Sequence, residues 1–155
     1  MTSSSPSQRA SLEQRLRDFH TAWISMSCNN GEGFDDWWNA NFSPKCGSIM
    51  RSSGNPLSRD EWRKMISSPE VQYDQDLTKQ KLVSIDSIHF FAENDSAAVT
   101  TMTVDLYFSY KDTPNEDRAK ITLIWERCGT TDADAESDWK IMHFQRATGQ
   151  PIPKE

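Results

Sequence analysis

Trp139-Lys-Ile-Met-His-Phe-Gln-Arg-Ala-Thr-Gly149 is the stretch whose reading decides the fold. Large apolar residues alternating with polar ones predict a β-strand. Strict alternation places Trp139, Ile141, His143 and Gln145 on one face and Lys140, Met142, Phe144 and Arg146 on the other. One face then carries two apolar side chains followed by two that exchange protons or hydrogen bonds. That order suits the floor of a lined pocket better than a plain hydrophobic core.

The same period of two runs back through the C-terminal half. A strand is predicted from Ala97 to Tyr110, with Ala98, Met102, Val104, Leu106, Phe108 and Tyr110 on one side and Thr101, Thr103, Asp105 and Tyr107 on the other. A loop over Asp112 to Asp117 turns it into a second strand, Arg118 to Cys128, whose apolar face is Ala119, Ile121, Leu123 and Trp125. Shorter strands are predicted over Leu77 to Ile85 and Ser87 to Ala92.

The N-terminal half has helical period instead. Leu12, Leu16, Phe19, Trp23 and Met26 form one stripe, opened by a Ser11/Gln14 capping box and ended at Asn29-Asn30-Gly31. Phe34 to Phe42 reads as a short aromatic helix, and Ile49 to Arg51 as a short strand before a turn over Ser52 to Pro56. Ser58 and Glu61 make a second capping box ahead of Trp62, Met65 and Ile66. Three helices followed by long antiparallel strands give an α+β plan in a single domain over 11–150. The polar, Ser-rich residues 1–10 read as a disordered leader and 151–155 as a tail.

Composition narrows the function classes. Six Trp, seven Phe and three Tyr concentrate apolar area in few residues. A net charge of -6, from 23 acidic and 17 basic residues, argues against nucleic acid or an anionic membrane as partner. Cys28, Cys46 and Cys128 are odd in number and widely spaced, the pattern of free thiols in a reducing compartment. With no apolar span or signal-peptide centre, the expected location is cytoplasmic.

The order of elements resembles the cone-shaped α+β fold of nuclear transport factor 2, the SnoaL-like cyclases and ketosteroid isomerase. The local echoes are Ser53-Gly54 with Leu57 before a Trp-bearing helix, Ala97-Ala98-Val99 opening a long strand, Thr122-Leu-Ile-Trp125 with Glu126-Arg127, and Trp139 to Arg146. The last two segments are similar to the end of the association domain of calcium/calmodulin-dependent protein kinase II. The resemblance implies a curved sheet wrapped around the first helix, with a cavity at the open end of the cone. The association domain's pocket is arginine-lined, whereas Leu123 and Val104 stand here where basic residues would be expected. The run Phe144 to Thr148 also lacks the His-His-Ser-Ser-like ending of the iota-class carbonic anhydrases. Asp105, on the strand face opposite the apolar one, is a poor match for the internal acid of ketosteroid isomerase.

Within that cavity, His143 is the expected proton carrier, Gln145 the orienting group, and His20 or Tyr110 the second polar contact. Trp23, Trp38, Trp62 and Trp125, with Tyr110, would supply a flat aromatic lining for an uncharged or weakly polar organic molecule. The chemistry so implied is cofactor-free isomerisation, dehydration or cyclisation, with no metal. The alternating Asp132, Asp134, Glu136 and Asp138 lack the glycine and the terminal Glu of a calcium loop and read as a solvated connection. On the outward sheet face, Tyr107, Ile124, Met142 and Phe144 would form an apolar patch, the expected surface of a homodimer. A non-catalytic association module is the alternative function.

Overall fold

Leu12, Leu16, Phe19 and Trp23 lie on one face of helix α1 (Pro6–Cys28), and all four are shut off from solvent. This computed structural model of the chain describes residues 6–128 and 138–153. Helix α1 begins at Pro6 and not at Ser11, so residues 6–10 belong to the helix and not to a leader. Proline favours a first helical turn because its φ is preset and its missing N–H is not needed there. Arg9 anchors that turn by donating to the Ile88 carbonyl at 3.1 Å.

Helix α2 (Phe34–Asn41) follows a left-handed Gly33, and helix α3 (Arg59–Ser67) starts on the expected Ser58 cap, whose Oγ accepts from Glu61 N–H at 3.1 Å. Between them lies a small antiparallel hairpin, β1 (Ser48–Met50) and β2 (Pro56–Ser58). After β3 (Val71–Tyr73) come the long strands β4 (Lys81–Phe91), β5 (Ala97–Tyr110), β6 (Thr113–Cys128) and β7 (Asp138–Gln150). Strand β6 starts at Thr113 because Lys111 and Asp112, at φ 50° and 64°, make a two-residue hairpin turn where a longer loop was expected.

The sheet runs β2-β1-β7-β6-β5, with β3 and β4 sharing the far edge of β5. It is curled, and its concave side holds Ala98, Met102, Val104, Leu106, Ala119, Ile121, Leu123, Trp125, Trp139, Ile141 and Phe144, all essentially unexposed. Phe19 of α1 meets Trp125 edge-on at 6.4 Å, and Trp23 meets Phe144 at 6.4 Å, so α1 lies in the hollow of the sheet. A second aromatic layer stacks behind it. Trp62 of α3 contacts Phe34, Trp37, Trp38 and Phe42, and Trp38 lies flat on Phe42 at 4.0 Å. Burying a Trp or Phe of this kind contributes about 3–5 kcal/mol against alanine.

Candidate functional site

The pairing of β6 with β7 breaks register twice, between Arg118 and Lys120 and again between Ile124 and Trp125, and the second break shapes the site. Ile124 faces His143, but Trp125 faces Ile141, which leaves Met142 as an extra residue. A bulge of this type adds one residue to one strand and reverses which side chains point inward beyond it. Trp139 and Ile141 therefore face the concave side, and after the bulge the inward residues are Phe144 and Arg146. Phe144 is 1 % exposed, whereas His143 is half-buried on the outer face and Gln145 is exposed there. The expectation of His143 and Gln145 on the pocket floor is corrected: unbroken alternation was assumed, and Met142 breaks it.

The inward shift of Phe144 and Arg146 builds a cleft. It is lined by Trp23, Phe144 and Arg146 from the cone, by Trp62 and Met65 of α3, and by Ile49, Met50, Arg51 and Leu57 of the β1–β2 hairpin. Its volume is about 280 Å³ counted out to the mouth, while the interior is narrow enough to seat only about one water. The walls are aromatic and thioether, and methionine side chains give way readily to a ligand. Arg51 and Arg146 are the two charges in this lining, and neither has an ion-pair partner among the described residues.

Three unpaired buried polar atoms lie along one stripe of α1: His20 Nε2, Trp23 Nε1 and Ser27 Oγ. Most buried polar groups in folded proteins find a partner, and the Trp37 and Trp139 indole nitrogens are likewise without one among the described residues. Trp23 is itself part of the cleft wall. Ser27 sits near the Tyr73 phenol without reaching hydrogen-bond geometry. Burial raises the Tyr73 phenol above its ordinary range, while Arg146 and, more weakly, Arg51 pull it back down, so both guanidiniums lie within electrostatic reach of Tyr73.

His20 is 5 % exposed, edge-on to Trp23 at 6.0 Å, and burial lowers its pKa to about 4. It is thus a neutral imidazole at pH 7, and it does not meet His143, which lies on the other side of the sheet. Of the expected aromatic lining, Trp23 and Trp62 reach the cleft. Trp38 is buried against Phe42, and the Trp125 indole donates to Thr100 Oγ1 at 2.9 Å inside the core. Tyr110 is 46 % exposed under Lys111 at the end of β5, so its place as a pocket contact is corrected as well. Arg51 and Arg146 were not picked out by the sequence reading as cleft residues. Their inward turn depends on the bulge and on the hairpin, and neither has a local sequence signal.

The outer sheet face divides into two halves. At one end Asp105 takes both Arg118 nitrogens at 2.7 and 2.9 Å, and Asp86 accepts from Ser84, Thr103 and Lys120 at 2.6, 2.7 and 3.1 Å. At the other end Val99, Ile124, Met142 and His143 are half-buried with fewer charges around them. Tyr107 falls in the charged half, about 26 Å along β5 from Val99 at about 3.3 Å per residue. Of the four residues expected at a dimer surface, Ile124 and Met142 remain on the uncovered half, while Phe144 lies inside the core. The acidic run at 132, 134 and 136 lies outside the described residues. Burial raises all three cysteine thiols, joined by Asp74 at Cys28 and Glu126 at Cys128, which favours their protonated form. Among the described residues no helix is long and apolar enough to cross a membrane.

Comparison with solved structures gives the same fold. An NTF2-like protein of unknown function from Prochlorococcus marinus is 24 % identical over 78 % of this chain and 84 % of its own, with a TM-score of 0.60. A putative calcium/calmodulin-dependent kinase II association domain from Exiguobacterium sibiricum is 15 % identical, covers 98 % and 100 %, and has a TM-score of 0.65. The kinase II hub of S. rosetta is 14 % identical over 96 % and 100 %, at a TM-score of 0.51. At these identities the likeness establishes the fold and leaves the function open. A search of curated proteins finds no match. One family model spans residues 16–152, nearly the whole domain. The chain therefore has the NTF2-like cone fold and belongs to the family described as protein of unknown function DUF3804.

Proposed function

We propose that this protein binds a small organic acid in the cone cleft, its carboxylate held by Arg51 and Arg146 and its apolar part against Trp23, Trp62 and Phe144. The observation that carries this reading is the pair of guanidiniums, without described counter-ions, at one end of an otherwise apolar cleft. Guanidinium is the side chain best matched to a carboxylate, because its planar fork gives two parallel charge-assisted hydrogen bonds. The unpaired Trp23 Nε1, in the cleft wall, adds a donor. The ligand class thus moves from the uncharged molecule expected from sequence to an anion. Binding, and not acid–base turnover, is the better-supported role, since the imidazole expected to carry protons faces away from the cleft.

The test compares phenylacetate with its neutral isostere phenylacetamide by quenching of tryptophan fluorescence. One charge-assisted contact contributes about 1.5–3 kcal/mol, so the acid should bind at least about tenfold tighter than the amide. Equal affinities, or no binding of either, would remove this reading.

A second reading stands beside it and is compatible with it: self-association through the uncovered half of the outer face. Val99, Ile124 and Met142 make an apolar centre there, and a self-complementary patch meets its copy around a two-fold axis. Homodimer formation is this account's expectation for that face.

A further inference from the structure

Arg51 and Arg146 stand side by side. Strand β1 runs parallel to β7 with Met50 opposite Gln145, and the next residue on each strand is one of the two arginines. Neighbouring strands lie about 4.8 Å apart, and side chains at matched positions project to the same face. The two guanidiniums therefore rise together from one wall of the cleft, and both belong to its lining. The rest of that lining is aromatic, aliphatic or thioether, with no carboxylate among it. Both arginines are half-buried, and neither has an ion-pair partner among the described residues. Burial raises the Tyr73 phenol and both guanidiniums pull it back down, so the two charges bear on one small region.

Two cations this close repel each other, and a half-buried setting screens them less than water does. A single carboxylate cancels one of the two charges and leaves the other uncompensated beside apolar walls. A head with two negative charges cancels both, and each guanidinium fork then finds oxygens of its own. We infer that the ligand carries a compact dianionic head, two carboxylates on one carbon or a phosphate monoester, seated across Arg51 and Arg146. Its apolar part lies on Trp62 and Phe144, which line the same cleft. This rests on the organic-acid reading for the place of binding and goes beyond its single carboxylate.

Calorimetric titration of the full chain with two matched ligand pairs tests it, at a pH of about 7.5 where a phosphate monoester has lost both protons. Phenylmalonate is set against its monomethyl ester, and phenyl phosphate against phenyl sulfate. Each pair keeps its shape and differs by one negative charge. In at least one pair the dianion should bind about tenfold tighter or more, the effect of one added charge-assisted contact. Arg51→Gln removes the second cation and should shrink that preference to within about twofold, with circular dichroism reporting that the variant is folded. A preference in the malonate pair alone assigns a diacid, and one in the phosphate pair alone assigns a phosphate monoester. No preference in either pair, no binding of any of these ligands, or a preference that survives Arg51→Gln in a folded sample overturns the inference. If phenylacetate outbinds phenylacetamide but neither dianion outbinds its partner, the dianionic head fails and the organic-acid reading stands. If a dianion outbinds its partner while phenylacetate and phenylacetamide bind alike, the dianionic head stands and the single-carboxylate reading fails.

Discussion

His20 shows how a single buried group shapes stability. Its pKa of about 4 lies below the unfolded value near 6.5, so between these limits the unfolded chain binds the extra proton. Stability from this group is therefore full above pH 6.5 and is lost as pH falls toward 4. By pH 5 the loss is about 2 kcal/mol. Urea unfolding at pH 7 and pH 5 should show that drop in the wild type and a much smaller one in His20→Gln. An equal drop in both would mean that another group carries the acid sensitivity. The same scale holds the main lesson of the cleft: Arg146 and His143 are three residues apart, and which of them faces inward decides whether the site is a clamp for anions or a proton carrier.

One extra residue in one strand makes that decision. Met142 is the extra residue of the bulge, and it is what lets Ile141 and Phe144, three positions apart, both face inward. Phe144→Ala removes the contacts with Trp23 and Trp62 and should cost about 3–5 kcal/mol, read as a lower urea midpoint. A Phe144→Ala variant as stable as wild type would show that the inward turn of Phe144 does not hold the core. Most elements were legible in the sequence because their signals are local. Ser58 and Glu61 cap α3 as their spacing demands, and Ala97 to Tyr110 alternates through its full length. The bulge was not legible, because Met142 is an ordinary strand residue and the force that places it is tertiary. Trp139, Ile141 and Phe144 all find buried sites only if the strand takes up one residue between them. The start of α1 was misjudged for a similar reason, since Arg9 reaches a carbonyl far along the chain.

At the level of the whole molecule, the cone has a wet, charged half and a barer half on its outer face, and a cleft within. Ile124 lies at the centre of the barer half, opposite His143 and Val99 on the neighbouring strands. Ile124→Glu should convert a dimer to a monomer in light scattering while leaving the circular dichroism unchanged. A variant that keeps the wild-type mass would exclude this face as the contact. The fold shared with association domains does not by itself assign an assembly to this chain, so the mass measurement carries that question. The central claim is that Arg146, and not His143, faces the ligand. Calorimetric titration with phenylacetate of wild type, Arg146→Gln and His143→Ala tests it most directly. The account predicts that Arg146→Gln weakens binding about tenfold or more, since a charge-assisted contact contributes about 1.5–3 kcal/mol, and that His143→Ala leaves it within about twofold. Loss of binding in His143→Ala with Arg146→Gln unaffected would contradict it.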